Sequence, residues 1–337
     1  MESSSRNGDV FYESTLGWIW FPGSAPSGAV SFWNAYGNRW EYPCKVSDCS
    51  AGYYSPSRGP YCFYPYGNKE YSSSQFWILV NGHNFESLSW REDSFGDVPP
   101  NSINTCAGTR LYVGKNKYGL GKVDSKNKAF FLGYQGKEYW YKYYDVLIIK
   151  KDYRSQTIDN ARYNFNQGSY TDVGSLILTT SKVNNYECSA VKKITSLAQM
   201  VQNEHSWDIG MSISSSVNFG MTIGIPDYIG VSWGITKEKH FDWRKGSTQS
   251  ESVTFTEQVE VNVPPNHSCE VEMYGMRKRG SIPFTATATR YYRNGETRSA
   301  TVQGVSYNTV VAQVQTVVRR CIPIPDVTPC DTQVERR

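Results

Sequence analysis

Between Trp207 and Ile225, nineteen residues alternate between apolar and small or polar side chains almost without error. The odd positions read Trp207, Ile209, Met211, Ile213, Val217, Phe219, Met221, Ile223 and Ile225, broken only by Ser215. The even positions, from Asp208 to Gly224, hold no large apolar residue. Side chains along a strand point alternately to its two faces, so the stretch reads as one long two-faced strand. Ordinary strands run about 5–6 residues. The plain explanation is a half-buried strand of a sandwich. Its length, and the residues that follow it, argue for something else.

Folding the chain about Asp227 sets Ile225 opposite Ile229, Ile223 opposite Val231, Met221 opposite Trp233 and Phe219 opposite Ile235. Val217 then meets Lys237, and the apolar band ends on both arms at one level. Each arm of the band is about ten residues, and a tilted strand crosses a bilayer in roughly 9–11. The expected lipid-facing row is therefore Val217, Phe219, Met221, Ile223, Ile225, Ile229, Val231, Trp233 and Ile235. Asn218, Thr222, Ser232 and Thr236, with intervening glycines, would line an aqueous lumen. Pro226 and Asp227 suit a turn. In the unassembled chain the apolar row is expected to pack against the body of its domain.

The remainder of the chain is consistent with β structure. It is rich in Tyr, Trp, Gly and Ser, and no run of 18 apolar residues marks a membrane helix. A formal charge of +4 gives no argument for nucleic acid. Residues 1–9 are polar and do not read as a signal peptide. Eight cysteines in 337 residues are too dilute for a disulfide scaffold. Cys321 and Cys330 bracket a segment that a disulfide would close into a small loop; free buried thiols are the alternative. Cys44 and Cys49 lack a second pair at metal-site spacing, so neither a metal nor a cofactor is expected.

The front of the chain repeats itself. "YCFYPYGNKEYSSSQFWILV" (61–80) parallels "AFFLGYQGKEYWYKYYDVLI" (129–148), with Lys69-Glu70 and Lys137-Glu138 lying 68 residues apart. Residues 16–150 read as two copies of a small β unit that bury a shared face. Copy two contains "GTRLYVGK", "GLGKV" and "GYQGKE". It resembles the DM-nine repeat of invertebrate lectins and fish natterins. The resemblance implies a tandem β domain that binds a mannose-type glycan through the Lys of "GK", here Lys122, and an acidic residue before "LYV". That position reads Thr105 in copy two and Asn34 in copy one. Glu138, Lys69 and Glu70 complete the expected sugar-binding set, as hydroxyl partners. Lys122 is expected in an exposed loop.

From about residue 155 the texture changes to long Ser/Thr/Val strands. The order of a long strand, a Trp-led alternating segment, "GIP", another long strand, "VPP" and "PFTAT" resembles the aerolysin-like module of natterins. What this resemblance implies is a protein that binds a surface glycan or lipid, assembles into a homo-oligomeric ring and gives one hairpin per copy to a membrane barrel. The expected architecture is mainly β. Residues 1–152 form a tandem-repeat lectin domain. Residues 153–337 form an elongated aerolysin-like domain with a stem hairpin at about 206–247. A glycan-binding lectin that never inserts is the competing reading. The expected setting is extracellular, or released without a signal peptide from a cytoplasmic store, and then the target-cell membrane.

Catalysis is not expected. The histidines, His83, His205, His240 and His267, form no paired metal motif, and no G-x-S-x-G elbow occurs. "GKNKYGLGKV" fails as a phosphate loop because Asn116 and Val123 stand where Gly and Ser or Thr are required.

Overall fold

The computed structural model describes residues 7–11, 14–210 and 219–327. The described residues are strand almost throughout, with three single-turn 3-10 helices. The chain divides into two units. One holds residues up to Ile158 together with Thr287–Val302. The other holds Asp159–Ile209, Met221–Ala286 and the chain from Gln303 onward.

The front unit opens with β1 (Asn7–Val10), β2 (Leu16–Trp20) and β3 (Phe32–Asn34). Copy one continues through β4 (Arg39–Lys45), β5 (Ala51–Tyr54), β6 (Cys62–Tyr66), β7 (Lys69–Ser73) and β8 (Trp77–Asn81). Copy two follows as β9 (Leu88–Ser94), β10 (Leu111–Asn116), β11 (Gly119–Asp124), β12 (Ala129–Tyr134), β13 (Lys137–Tyr141) and β14 (Tyr143–Ile149). Within one sheet the order is β2-β8-β4-β5-β6-β7-β13-β12-β11-β10-β14-β9. That order reads the same way outward from the β7–β13 seam, so the copies are related by a local two-fold axis there.

The seam is reciprocal. The N–H of Glu70 donates to Gly136 O and the N–H of Glu138 to Asn68 O, both at 3.2 Å. The carboxylate of Glu70 accepts from Gly136 N at 3.0 Å, and that of Glu138 from Asn68 N at 2.7 Å. Away from the seam the copies share a core of Leu16, Trp18, Leu79, Ile103, Val113, Leu147 and Ile149. Each also keeps its own, around Phe76 and Ile78 in copy one and Phe130 and Val146 in copy two.

The long hairpin end within this unit is anchored by one buried ion pair. Arg290 Nη1 lies 2.6 Å from Glu86 Oε2, with both side chains 2% exposed. Arg290 Nε donates to Gln156 Oε1 at 2.9 Å, and its guanidinium lies over the Phe85 ring.

The second unit is built from β15 (Tyr153–Tyr163), β16 (Ser169–Asn185), β17 (Val191–Ile209), β18 (Phe219–Ile229), β19 (Ser232–Trp243), β20 (Thr248–Val263), β21 (His267–Tyr292), β22 (Thr297–Val318) and β23 (Ile322–Pro323). The sheet order is β19-β18-β15-β21-β22-β17-β20, with β16 and β23 also pairing β21. β17 and β20 pair residue for residue from Val191↔Val263 to Ser206↔Thr248. At its far end β17 also pairs β22, from Glu204↔Thr309 to Ile209↔Gly304.

Here the buried His205 meets Asn308 Oδ1 at 2.9 Å through Nδ1. Burial lowers its pKa below the ordinary value. A histidine depressed in the folded state contributes stability that is complete above the unfolded pKa of about 6.5. That stability is lost as pH falls through the folded value. Urea unfolding at pH 7.5 and 5.5 is expected to show a loss at the lower pH that shrinks in His205→Gln.

Two expectations change. The cysteines are paired rather than free: Cys44 with Cys62, Cys49 with Cys106, and Cys269 with Cys321, while Cys188 is also disulfide-bonded. Cys321 therefore does not close a loop with Cys330, which lies outside the described residues. Cys269 on β21 takes it because β23 lays the chain back against Ser268. The hairpin turn is also not at Asp227. Pro226 and Asp227 lie inside β18, and the turn is Gly230–Val231, where Gly230 supplies a φ of +64°. A left-handed position there is available to glycine at no steric cost.

Candidate functional site

Register identifies equivalent positions in the two copies. Glu70 faces Pro65 as Glu138 faces Gly133, and two residues on Ser72 faces Phe63 as Trp140 faces Phe131. On the next strands Phe63 faces Tyr53, and Phe131 faces Lys122. Tyr53 is thus the copy-one counterpart of Lys122, and Gly52 that of Gly121. Each glycine is required: a Cβ there would collide with the carbonyl oxygen of Phe63 or Phe131. This is the physical basis of the "GK" element.

Lys122 lies on β11, not in an exposed loop, and is 6% exposed. Its ammonium donates to Ser50 Oγ at 3.3 Å and sits 5.5 Å from the Tyr66 ring centroid. Burial lowers its pKa, against the nearby charges of Glu138, Asp124 and Asp48. Asp48 in turn holds Ser50 through its backbone N–H at 2.9 Å. The result is a buried cation held by Ser50, within electrostatic reach of three carboxylates and beside the exposed ring of Tyr66. Such a set offers donors, acceptors and an apolar face at one spot, which is the chemistry that a polyhydroxylated ring requires.

The counterpart site solves the same problem with arginine. Tyr53 is buried, and burial followed by the Glu70 charge raises its pKa. Arg58 pairs with Glu70 at 2.9 Å, hydrogen-bonds the Tyr53 hydroxyl and covers the Phe63 ring at 3.6 Å. Arg39 lies over the Tyr53 ring at 4.6 Å. The cation is retained although the lysine is not.

The expected sugar ligands separate accordingly. Glu138 lies within electrostatic reach of Lys122 with its carboxylate on the seam at Asn68 N, and Glu70 stands at the other site with its carboxylate shared between Arg58 and the seam. Lys69 lies on the seam opposite Lys137. Asn34 and Thr105 are fully buried. Asn34 spends its amide on Glu41 Oε1 at 2.8 Å and Tyr118 O at 2.9 Å, and its oxygen on Gly37 N. Glu41 accepts besides from Arg39 and Leu120 N, so that cluster is saturated. Sequence reading missed Asp48, Arg58 and Tyr66. Arg58 and Tyr66 flank the repeated strands, and pairing by register would have found them.

The expected membrane hairpin is placed in part. Met221, Ile223 and Ile225 are 0%, 0% and 2% exposed, and Trp233 is buried against Ile282 and Val310. Trp233 also stacks on Tyr170, at 5.6 Å between centroids. Ile229, Val231 and Ile235 are not masked: Val231 is 90% and Ile235 45% exposed. Thr222 shares a hydrogen bond of 2.8 Å with His240, and Lys237 pairs with Glu251 of β20. Ser232 and Thr236 are exposed on β19. Val217, Asn218 and the Phe219 side chain lie outside the described residues.

The DM9 repeat model matches residues 35–138. The structure is similar to that of lamprey immune protein, at 17% identity and a TM-score of 0.44 over 92% of this chain and 99% of that one. It is also similar to an aerolysin-like protein of Bombina maxima, at 8% identity and a TM-score of 0.27 over 49% and 99%. Natterin-4 of Thalassophryne nattereri is 39% identical over 318 residues, which cover 94% of this chain and 81% of that protein, and Natterin-1 of the same fish is 38% identical over 94% and 90%. At this identity over nearly the whole of this chain and most of theirs, the chain belongs to the natterin family.

Proposed function

We propose that the protein binds a surface glycan through its front unit, assembles with copies of itself into a ring and inserts the β18–β19 hairpin into the target membrane as part of a β-barrel. The observation that carries this is the place of the hairpin. It is inserted between β17 and β20, which are paired over their shared length, and it carries a continuous apolar row. A strand in lipid leaves no backbone group unpaired, which requires a barrel closed by many copies. The repeats of the front unit point the same way. The paired cysteines fit an oxidising, extracellular setting. Among the described residues no helix is long and apolar enough to cross a membrane. No catalytic step enters this reading.

The test is dye release from vesicles with and without a mannosylated lipid, with electron microscopy of the same vesicles for rings. Binding with full dye retention identifies a lectin that does not insert. Loss of both binding and release overturns the proposal.

The glycan site has its own test. Lys122→Met keeps the length of the side chain and removes the ammonium. A hydrogen bond to a charged group contributes about 1.5–3 kcal/mol, so binding to mannan is expected to weaken roughly 10- to 100-fold with the melting temperature little changed. Arg58→Met tests the counterpart site in the same assay. Unchanged affinity in both variants removes the two clusters as the sugar sites.

A further inference from the structure

The two-fold relation between the copies reaches the strands beyond the sugar clusters. With Gly52 equivalent to Gly121, the pairs Cys44↔Gly52 and Gly114↔Gly121 make Cys44 the counterpart of Gly114. Lys45, beside it, faces Trp77 as Lys115 faces Asp145. One strand further out, Trp20 faces Trp77 as Glu92 faces Asp145. Phe21 bonds Phe76 through its backbone where Asp93 pairs with Tyr144. Trp20, Phe21 and Trp77 of copy one thus stand where copy two has Glu92, Asp93 and Asp145.

The exchange turns a packed place into an open one. In copy one Phe21 stacks on Phe76 at 4.3 Å, and Trp20 meets Trp77 edge-on at 4.9 Å. In copy two the three carboxylate residues line a cleft of about 580 Å³, and four tyrosines line it with them. Tyr118 and Tyr141 lie 5.4 Å apart between ring centroids. Tyr144 is buried, its hydroxyl donating to Asp97 O at 2.9 Å. Tyr143 is 70% exposed and meets Phe95 edge-on at 5.7 Å.

Charge decides what such a cleft can hold. Lys115 neutralises Asp145 at 2.6 Å. Glu92 and Asp93 remain against Lys117, whose ammonium already lies over the Tyr118 ring at 5.0 Å. An excess of negative charge disfavours an anion. Among the described residues no group of three acidic, histidine or cysteine side chains is placed to hold a metal ion, so these carboxylates act through their field rather than as ligands. Aromatic faces in a negative field attract an organic cation, and a methylated ammonium suits them best because it gives up little hydration. Lys117 in turn can meet a phosphate joined to that cation.

We infer that this cleft binds the choline headgroup of a membrane phospholipid, with the trimethylammonium between the tyrosine rings and the phosphate at Lys117. Tyr143 and the half-exposed Phe95 form a rim of rings, which suits the interfacial layer around such a headgroup. The corresponding place in copy one is filled by its own aromatic residues. Every residue involved lies in the front unit, so headgroup binding needs neither a ring nor insertion.

The full chain is titrated with phosphocholine by calorimetry, with phosphoethanolamine and inorganic phosphate as controls. It is then floated with phosphatidylcholine vesicles, and with vesicles in which phosphatidylethanolamine replaces much of that lipid, neither carrying sugar. Phosphocholine and the phosphatidylcholine vesicles are expected to bind, and their ethanolamine counterparts to bind less. Tyr143→Ala is expected to weaken phosphocholine roughly 3- to 30-fold, and Glu92→Gln about 2- to 5-fold, with mannan binding and melting temperature unchanged. Phosphoethanolamine or phosphate binding as well as phosphocholine overturns the assignment, as does full affinity in Tyr143→Ala. Loss of mannan binding in Tyr143→Ala makes the cleft a sugar site and overturns it equally. Phosphocholine binding without preference for phosphatidylcholine vesicles points to a soluble choline ester and overturns the lipid as the ligand. Absence of dye release overturns the pore-forming reading alone, because flotation reads the headgroup site without it.

Discussion

Val231→Arg is expected to abolish dye release while leaving the soluble protein unchanged. Val231 is 90% exposed at the hairpin turn, so an arginine there meets water in the folded chain. On the lipid face of a barrel the same arginine costs roughly 2–4 kcal/mol in each copy. The cost is repeated around the ring, so insertion is lost entirely rather than weakened. The comparison with Met221→Arg is informative. Met221 is fully buried, and that variant is expected to fail before any membrane is met, by placing an unpaired charge in the core. Circular dichroism, sugar binding and dye release on the three proteins separate the outcomes. A Val231→Arg protein that releases dye as the parent does would remove the second arm of the hairpin from the lipid face.

The second large effect lies at Arg290. Replacing it with methionine leaves the Glu86 carboxylate buried without its cation. Breaking a buried pair from one side costs about 3–5 kcal/mol, which for a unit of this size lowers the melting temperature by roughly 6–20 °C. Adding Glu86→Gln removes the orphaned charge, and the double variant is expected to recover most of the loss. Equal melting temperatures for the single and double variants would show that Glu86 is not the source. This pair ties Thr287–Val302 to the repeats, so dye release by the single variant reports whether that tie matters to assembly.

The sequence made the repeats and the long two-faced strands legible because both are periodic. Lys69-Glu70 and Lys137-Glu138 mark the seam, while Lys69, Glu70 and Glu138 were read as sugar ligands; a motif shows that a position is constrained, not by what. Lys122 was placed in a loop because glycines flank it. Gly121 is there for the close approach of the Phe131 carbonyl within a sheet, and that contact spans strands that no local pattern relates. The burial of Asn34 was hidden for a similar reason: its partner Glu41 lies seven residues on, and their saturation is visible only with the backbone of Tyr118 and Leu120 in place. The Cys49–Cys106 disulfide was illegible because its two cysteines belong to different copies. The turn at Gly230–Val231 competed with Pro226-Asp227, and turn chemistry alone does not choose between them.

The reciprocal seam between β7 and β13 has one more consequence. Each copy offers the other the same strand, the same carboxylate and the same turn, which is the geometry of an isologous contact. A single copy would carry that edge unpaired and would close it by self-association as a symmetric homodimer. Joining two such copies in one chain keeps the contact and frees the halves from identity. Symmetry that would have forced two equal sites is thereby relaxed: one half holds its cation as Lys122 and the other as Arg58 beside Tyr53.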